Sequence, residues 1–271
     1  MSLYAVRALL EFHWGYSVKR PLFSASQPAL LVPPPTTLLG ALARAAAYFH
    51  GWPETIQEGQ ALYSSARLLL EKIRWAAAAL VDERFVGPLL GPAETRDLTR
   101  ALIAPYQRAD HAYPGSPMLF GVQPHGKVYA PSMRVAVFFL ATDEKVGDYA
   151  RCILSVGSKE SVVSVDGVEV SEVRVVGAHE VETCYYFPSD LGDVLQSPGN
   201  AEKRRALREL LSIPDVSHYE LARVKDLEAN WREFVVPLGR VRVRLASERA
   251  AAVLDPEGEV VVVPRWVVEG A

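Results

Sequence analysis

The chain opens with alternating apolar and polar residues. From residue 3 to residue 14 the even positions are apolar or aromatic, whereas the odd positions include Arg7 and Glu11. A period of two is typical of a β-strand with one buried face. A nearly continuous apolar run at 133–141 predicts a second strand, buried on both faces. Alanines at 73–81 favour a helix, but the alternation of that segment favours a strand, which we predict.

Helical spacing follows three consecutive prolines at 33–35. Apolar residues recur every three or four positions from Leu38 to Phe49, and Gly51 ends the pattern. Gly40, Arg44 and Tyr48 form a separate stripe on this helix, at a spacing of four. The segment therefore predicts a helix that starts abruptly after a rigid approach.

Shorter signals predict the remaining elements. They are a helix at 53–72, a helix at 143–156 capped by Asp143 and ended by Gly157, a hairpin at 162–176 turning at Asp166-Gly167, a strand at 179–187, a basic helix at 201–211, and strands at 240–245 and 260–263. In the strand at 240–245 three arginines alternate with apolar residues. This basic face is either a solvated guard of a sheet edge or a surface for a partner.

The order of these elements predicts an α+β fold, an antiparallel sheet with helices on one face. We assign residues 1–187 to one domain, which contains a long, hairpin-like insertion at 84–130, and residues 188–271 to a small, β-rich C-terminal unit. Glycines and prolines interrupt the insertion, and cations and aromatic residues alternate in it, among them Arg108 and His111. Single-stranded RNA recognition uses this mixture, but a long solvated loop has the same composition.

Composition limits the classes of function. The net charge of −3 excludes a uniformly basic nucleic-acid-binding protein, so any RNA surface must be a local patch. The sequence contains no apolar run long enough for a transmembrane helix, and we expect no membrane partner. The two cysteines have no metal-ligand spacing and indicate a cytoplasmic protein, and the scarcity of Asn, Met and Cys is typical of a thermophile.

Three stretches could hold a phosphate. The start of the first helix offers backbone N–H groups and the hydroxyls of Thr36 and Thr37. The loop at 157–161 offers amides, two hydroxyls and one cation, as an anion-binding nest does. The loop at 15–33 has two adjacent cations beside aromatic residues. Each stretch also has a purely structural interpretation: a capped core helix, an ordinary turn and an exposed basic loop.

Enzymatic motifs are absent from the sequence. We find no GxxxxGK[ST], GxSxG, HExxH or CxxC pattern, and the histidines are scattered singly. We therefore expect no catalytic residues, no metal site and no cofactor.

Two blocks carry a resemblance to a known family. Pro33-Pro34-Pro35-Thr36-Thr37-Leu38-Leu39-Gly40-Ala41-Leu42 follows a short N-terminal strand, and Val156-Gly157-Ser158-Lys159-Glu160-Ser161-Val162-Val163-Ser164-Val165 lies about one domain length later. This pair resembles the CRISPR-associated protein 5 family of the RAMP superfamily, in its archaeal type I-A branch. The resemblance implies a ferredoxin-like fold, similar to an RNA-recognition motif.

The resemblance also implies a function. It suggests a non-catalytic subunit of a type I-A surveillance (Cascade) complex that binds the five-prime handle of the CRISPR RNA (crRNA) in antiviral defence and contacts the backbone and large subunits. The residues expected at the RNA are Lys19, Arg20, Thr36, Thr37, Arg44, Arg108, His111, Gly157, Ser158, Lys159 and Ser161.

Two other functions stay open. One branch of the family is a metal-independent endoribonuclease that processes precursor crRNA with a tyrosine and a Lys-His pair. Tyr48 could supply the tyrosine, but the sequence contains no Lys-His dipeptide. The second alternative is a structural assembly protein that makes no RNA contact, which would show no salt-dependent affinity for RNA.

Overall fold

A computed structural model describes residues 2–18, 28–82, 93–102, 120–195, 206–221 and 230–269. Two α-helices lie in these ranges: α1 (Pro35–His50) and α2 (Val146–Arg151). The strands are β1 (Tyr4–Phe12), β2 (Gly15–Tyr16), β3 (Thr55–Glu58), β4 (Ala61–Ser64), β5 (Ile73–Leu80), β6 (Ala93–Leu102), β7 (Phe120–Tyr129), β8 (Met133–Ala141), β9 (Val163–Glu172), β10 (Arg174–Val176), β11 (Glu180–Thr183), β12 (Phe187–Pro188), β13 (Gly192–Val194), β14 (Ala206–Ser212), β15 (Trp231–Pro237), β16 (Val241–Leu245), β17 (Ala250–Leu254) and β18 (Val260–Pro264). Neither described helix is long and apolar enough to cross a lipid bilayer.

The central sheet has four antiparallel strands in the order β5-β8-β1-β9. The strands expected at the N-terminus, at 73–81 and at 133–141 are all present in it. Helix α1 packs on β5, and α2 packs on β1 and β9. The chain is thus mostly β with few helices, in line with the expected α+β class.

The second face of this sheet is covered by strands from the C-terminal part of the chain. Phe138 on β8 packs edge-on against Tyr185, with 6.0 Å between ring centroids, and Trp75 on β5 stacks on Phe234 at 6.4 Å. Residues of β1, β8, β15 and β17 belong to one apolar core. Because both faces are covered, RNA has no access to the sheet face that an open RNA-recognition motif presents.

Three small sheets build the C-terminal part, in the orders β10-β17-β18, β11-β16-β13 and β12-β15-β14. Their strands come from residues before and after 188. The domain boundary expected between residues 187 and 188 stays a prediction. Strand β16 is central in its sheet, so its arginines are not an edge guard. Arg242 and Arg244 both form ion pairs with Glu180 on the neighbouring strand β11.

The described parts of the insertion form a regular hairpin, in line with the hairpin-like insertion expected at 84–130, although prolines and glycines interrupt its sequence. Strands β6 and β7 pair in register from Ala93 with Tyr129 to Leu102 with Phe120, and β2 extends this hairpin. Pro124 is tolerated in β7 opposite Leu98. Ladder hydrogen bonds along the remaining positions thus outweigh the local breakers.

Three predicted elements were wrong. Residues 55–64 form the hairpin β3–β4 rather than a helix, because Gly59 takes a left-handed φ of 61° that a helix does not allow. The predicted hairpin at 162–176 is instead strand β9, which runs through the Asp-Gly pair with a bulge against β1, followed by β10 in a different sheet. The described part of the predicted basic helix at 201–211 is strand β14, whose pairing with β15 outweighs its helix propensity.

Candidate nucleic-acid interface

A groove of about 830 Å³ lies between the start of α1 and the loop that precedes β9. Its walls come from five segments: the residues that flank β2, the first part of α1, Glu54 just before β3, strand β7, and the loop at 155–160. The two sequence blocks that carry the family resemblance therefore line one groove. Thr37, Ser158 and Lys159 of these blocks line the groove, together with Arg44, which lies two residues after the first block.

The start of α1 differs from the expected phosphate site. Pro34 is the N-cap residue and Pro35 is the first helical residue, and neither has an N–H group. The amides of Thr37 and Leu38 both donate to the carbonyl of Pro34, at 2.9 and 3.1 Å. Few backbone N–H groups at the start of α1 are thus left without a partner. This terminus therefore offers an anion fewer hydrogen-bond donors than the sequence suggested.

The two threonines at this terminus have different surroundings. Thr36 is buried, and its hydroxyl shares a hydrogen bond with the Ser212 hydroxyl on β14. This side chain fastens α1 to the C-terminal part of the chain, and its burial leaves little of it exposed for the RNA contact expected from the sequence. Thr37 is half-buried and lines the groove.

Arg44 places a cation two turns further along α1. Its side chain is exposed, and Nη1 donates to the Ser155 hydroxyl at 2.9 Å. This bond links the helix to the loop across the groove and holds the guanidinium at its wall. Between Thr37 and Arg44 the floor is Gly40, where an added Cβ would meet no atom within 4 Å. The helix therefore presents a flat, open surface next to a fixed cation.

The loop at 155–161 has the shape of a tight turn held by its own hydrogen bonds. Gly157 has a φ of 87°, and a Cβ there would lie 2.9 Å from Val18 Cγ2 and 3.0 Å from the Ser17 carbonyl oxygen. Glycine is thus required both by the left-handed backbone and by the close approach of β2. This close packing against residues 17 and 18 fixes the position of the loop at the wall of the groove.

Two serines of this loop serve its shape. Ser161 is fully buried, and its hydroxyl bonds to the Ser158 hydroxyl at 2.8 Å and accepts the Ser17 amide at 3.3 Å. Burial leaves Ser161 without exposed surface for the RNA contact expected from the sequence. Ser158 is half-buried and lines the groove, and Lys159 is exposed beside it.

Lys127 on β7 is a third cation at the groove, one that the sequence did not single out as a site residue. Its Nζ lies 5.6 Å from the ring centroid of Trp14, and the Trp14 indole donates to the Glu160 carbonyl at 2.6 Å. Trp14 also packs against Tyr129, with ring centroids 5.6 Å apart. These contacts join the β1 end, the insertion and the glycine loop, which only the three-dimensional fold brings together.

The groove carries a small excess of positive charge. Arg44, Lys127 and Lys159 line it together with two carboxylates, Glu54 and Glu160. The pKa of Glu160 is lowered by hydrogen bonds from its own backbone amide and from Ser158, and by the charges of Lys127 and Lys159. This carboxylate is therefore ionised at neutral pH, and it reduces the positive potential that a phosphate would meet.

Four of the expected RNA residues, Lys19, Arg20, Arg108 and His111, lie outside the described residues. Within those ranges no group of three or more His, Cys, Asp or Glu side chains could hold a metal ion. Both cysteines are free thiols in the structure.

Comparisons with known proteins connect this geometry to a family. No protein-family model matches the sequence. The aCascade subunit Cas5 1 of Saccharolobus solfataricus is 34% identical over 184 residues, which cover 67% of this chain and 70% of that protein. A second protein of that organism, CRISPR-associated protein Cas5 2, is 27% identical over 255 residues, covering 88% of this chain and 86% of the relative.

The fold also has a counterpart among solved structures. The crystal structure of a CRISPR protein from Archaeoglobus fulgidus superposes with a TM-score of 0.58 at 19% identity, covering 96% of this chain and 99% of that one. At this identity the likeness concerns the fold alone. The 34% identity to the aCascade subunit over 184 residues, which cover more than two thirds of that protein, decides the family. This chain belongs to the Cas5 family of CRISPR-associated proteins.

Proposed function

We propose that this protein is an RNA-binding subunit of a type I-A CRISPR surveillance complex, and that its groove holds the phosphates of the crRNA five-prime handle. A relative whose name makes it a subunit of the archaeal Cascade complex supports the first part. The groove that joins Arg44, Lys127 and Lys159 is the observation that carries the second part.

The cationic end of this groove is better suited to binding phosphates than to recognising bases. Lysine and arginine bind phosphate oxygens through charge-assisted hydrogen bonds. Ser158 adds a neutral hydroxyl to the lining of the same groove. Phosphate contacts position a strand without reading its sequence, so this end of the groove fixes the path of the handle.

The strand order supports a ferredoxin-like assignment of the N-terminal half. Helix α1 follows β1, helix α2 follows β8, and the order β5-β8-β1-β9 places the first and third of these four strands side by side. The C-terminal strands cover the open face of this sheet. The RNA therefore runs along the helix-and-loop edge and not across the sheet.

We further propose that the subunit is not catalytic. Metal-independent RNA cleavage needs a base and an acid beside the 2′-hydroxyl and the leaving oxygen. The sequence lacks the Lys-His pair that the ribonuclease branch of the family uses. The proposal includes contacts with the backbone and large subunits of the complex and a cytoplasmic location, as the family resemblance implies.

The test is the affinity for handle RNA of the assembled complex, measured over a series of salt concentrations. Lys159→Ala should weaken binding for different handle sequences about equally and lower the salt slope by roughly 0.7, the value for one single-stranded phosphate. Lys145→Ala, which removes an exposed lysine outside the groove, is the matched control. An unchanged affinity and slope with Lys159→Ala would make Lys159 an ordinary surface lysine and contradict the proposed groove.

A further inference from the structure

The phosphate groove continues along α1 into a second half with different chemistry. This half also has a volume of about 830 Å³ and shares Gly40, Ala41, Arg44 and Glu54 with the first half. Its other walls are mainly apolar or aromatic. They include Ala47, Tyr48, Trp52, Cys152, Leu154 and Leu221.

Tyr48 is the most exposed large apolar side chain of the described residues, with 90% of its surface accessible. It lies one helical turn after Arg44, so the two Cβ atoms are about 5–6 Å apart on one face of α1. Among the described residues its ring has no aromatic neighbour and its hydroxyl has no hydrogen-bond partner. Leu154, 67% exposed, lines the same half.

We propose that this second half is a nucleobase subsite, in which one base of single-stranded RNA stacks on the ring of Tyr48. The inference rests on the proposed function, because it needs the neighbouring phosphates at Arg44 and Lys159. An RNA strand alternates an anionic phosphate with a flat aromatic base. The groove presents the same alternation along one helix face, a fixed cation followed one turn later by an exposed aromatic ring.

The shared walls favour RNA over an apolar peptide as the occupant. Any ligand that fills the second half passes Arg44 and Glu54, two charged side chains common to both halves. Arg44 suits a phosphate on one side of a stacked base, whereas an apolar peptide would cover the guanidinium and bring no carboxylate of its own to pair with it. The Tyr48 ring would bind a base by stacking, and every base has a flat face that can stack. The subsite should therefore accept several different bases.

The experiment uses the assembled complex with RNA that carries 2-aminopurine at successive handle positions, because stacking on an aromatic ring quenches that fluorophore. One position should be quenched in the wild type and regain fluorescence in Tyr48→Ala. Tyr48→Ala should weaken RNA binding about tenfold or more without changing the salt slope, since it removes stacking and no charge. Tyr48→Phe should retain both the affinity and the quenching.

Controls separate this subsite from the phosphate groove and from a protein-docking surface. Trp266→Ala removes a ring that is 58% exposed outside the groove and should leave RNA binding unchanged.

If Lys159→Ala weakens binding while Tyr48→Ala does not, the phosphate groove stands and the base subsite is wrong. If neither variant changes the RNA affinity, the proposed function is contradicted, and the base subsite that rests on it is contradicted as well. If Tyr48→Ala and Leu154→Ala impair complex assembly and leave RNA affinity intact, the occupant is a partner protein and the base subsite is overturned.

Discussion

Arg7 on β1 forms a buried ion pair with Asp255, which follows β17 near the end of the chain. The Arg7 Nε lies 3.3 Å from Asp255 Oδ2, a Coulombic contact without a hydrogen bond, and Nη1 donates to Glu257 at 2.9 Å. Asp255 also accepts the Tyr185 hydroxyl at 2.8 Å. Burial and the charge of Asp255 raise the pKa of Tyr185 well above its usual value, so the phenol stays protonated and donates.

Arg7→Met should lower the free energy of unfolding by about 3 kcal/mol, because it leaves the carboxylate of Asp255 buried without its cation. Chemical denaturation followed by circular dichroism measures the change. Arg242→Ala is the control, because its ion pair with Glu180 is exposed and should contribute less than about 1 kcal/mol. Equal losses in the two variants would show that the Arg7 pair does not hold the C-terminal strands to β1.

Two glycines at the groove should respond in opposite ways to alanine. Gly157→Ala should destabilise the protein by about 1–3 kcal/mol, because it forces a left-handed φ and a clash with Val18 and Ser17. Gly40→Ala should stabilise it by about 1 kcal/mol, because the position is helical and the space above it is open. The melting temperatures of the two variants test both predictions. A Gly157→Ala protein as stable as the wild type would mean that the loop has another conformation.

Nuclease activity provides a direct check on the non-catalytic assignment. Purified protein incubated with repeat RNA, with and without divalent metal, should leave the RNA intact, and a known ribonuclease serves as the positive control. Specific cleavage that disappears in Tyr48→Phe would instead favour the precursor-processing alternative. The same variant is expected to bind RNA normally, so loss of binding would not explain loss of cleavage.

The two cysteines should differ strongly in their reactivity. Cys152 is exposed in the second half of the groove. Burial and the nearby Glu259 raise the pKa of Cys184 to about 11, so at pH 8 only about one in a thousand of its thiols is ionised. Because the thiolate is the reactive form, iodoacetamide should alkylate Cys152 first. Mass spectrometry of the two peptides measures both rates.

Bound RNA should then protect Cys152 and leave the slow rate of Cys184 unchanged. Cys184 thereby serves as the internal reference within the same molecule. An equal rate at Cys152 with and without saturating RNA would indicate that the strand leaves the second half of the groove open.

Local signals in the sequence predicted helix α1 and three of the four strands of the central sheet, β1, β5 and β8. The apolar even positions 6–12 of β1 are buried, and so is nearly all of β8, as the pattern predicts. The pattern failed on the other face of β1 and β5, where Ala5, Arg7, Ala76 and Ala78 are buried as well. Local propensity failed at 206–211, where leucine, arginine and glutamate favour a helix but the segment pairs with β15. Intrinsic preferences of less than about 1 kcal/mol per residue are readily overcome by a paired, half-buried strand.

The sequence by itself determined the family, through the two blocks at 33–42 and 156–165, and it determined which faces of the central strands are apolar. The tertiary structure determined what covers the polar face of β1, where Arg7 meets Asp255 instead of solvent. It also brought Lys127 to Trp14 and Arg44 to Ser155, contacts between residues far apart in the chain. No local pattern encodes such contacts, because they depend on strand order and on the packing of one sheet against another.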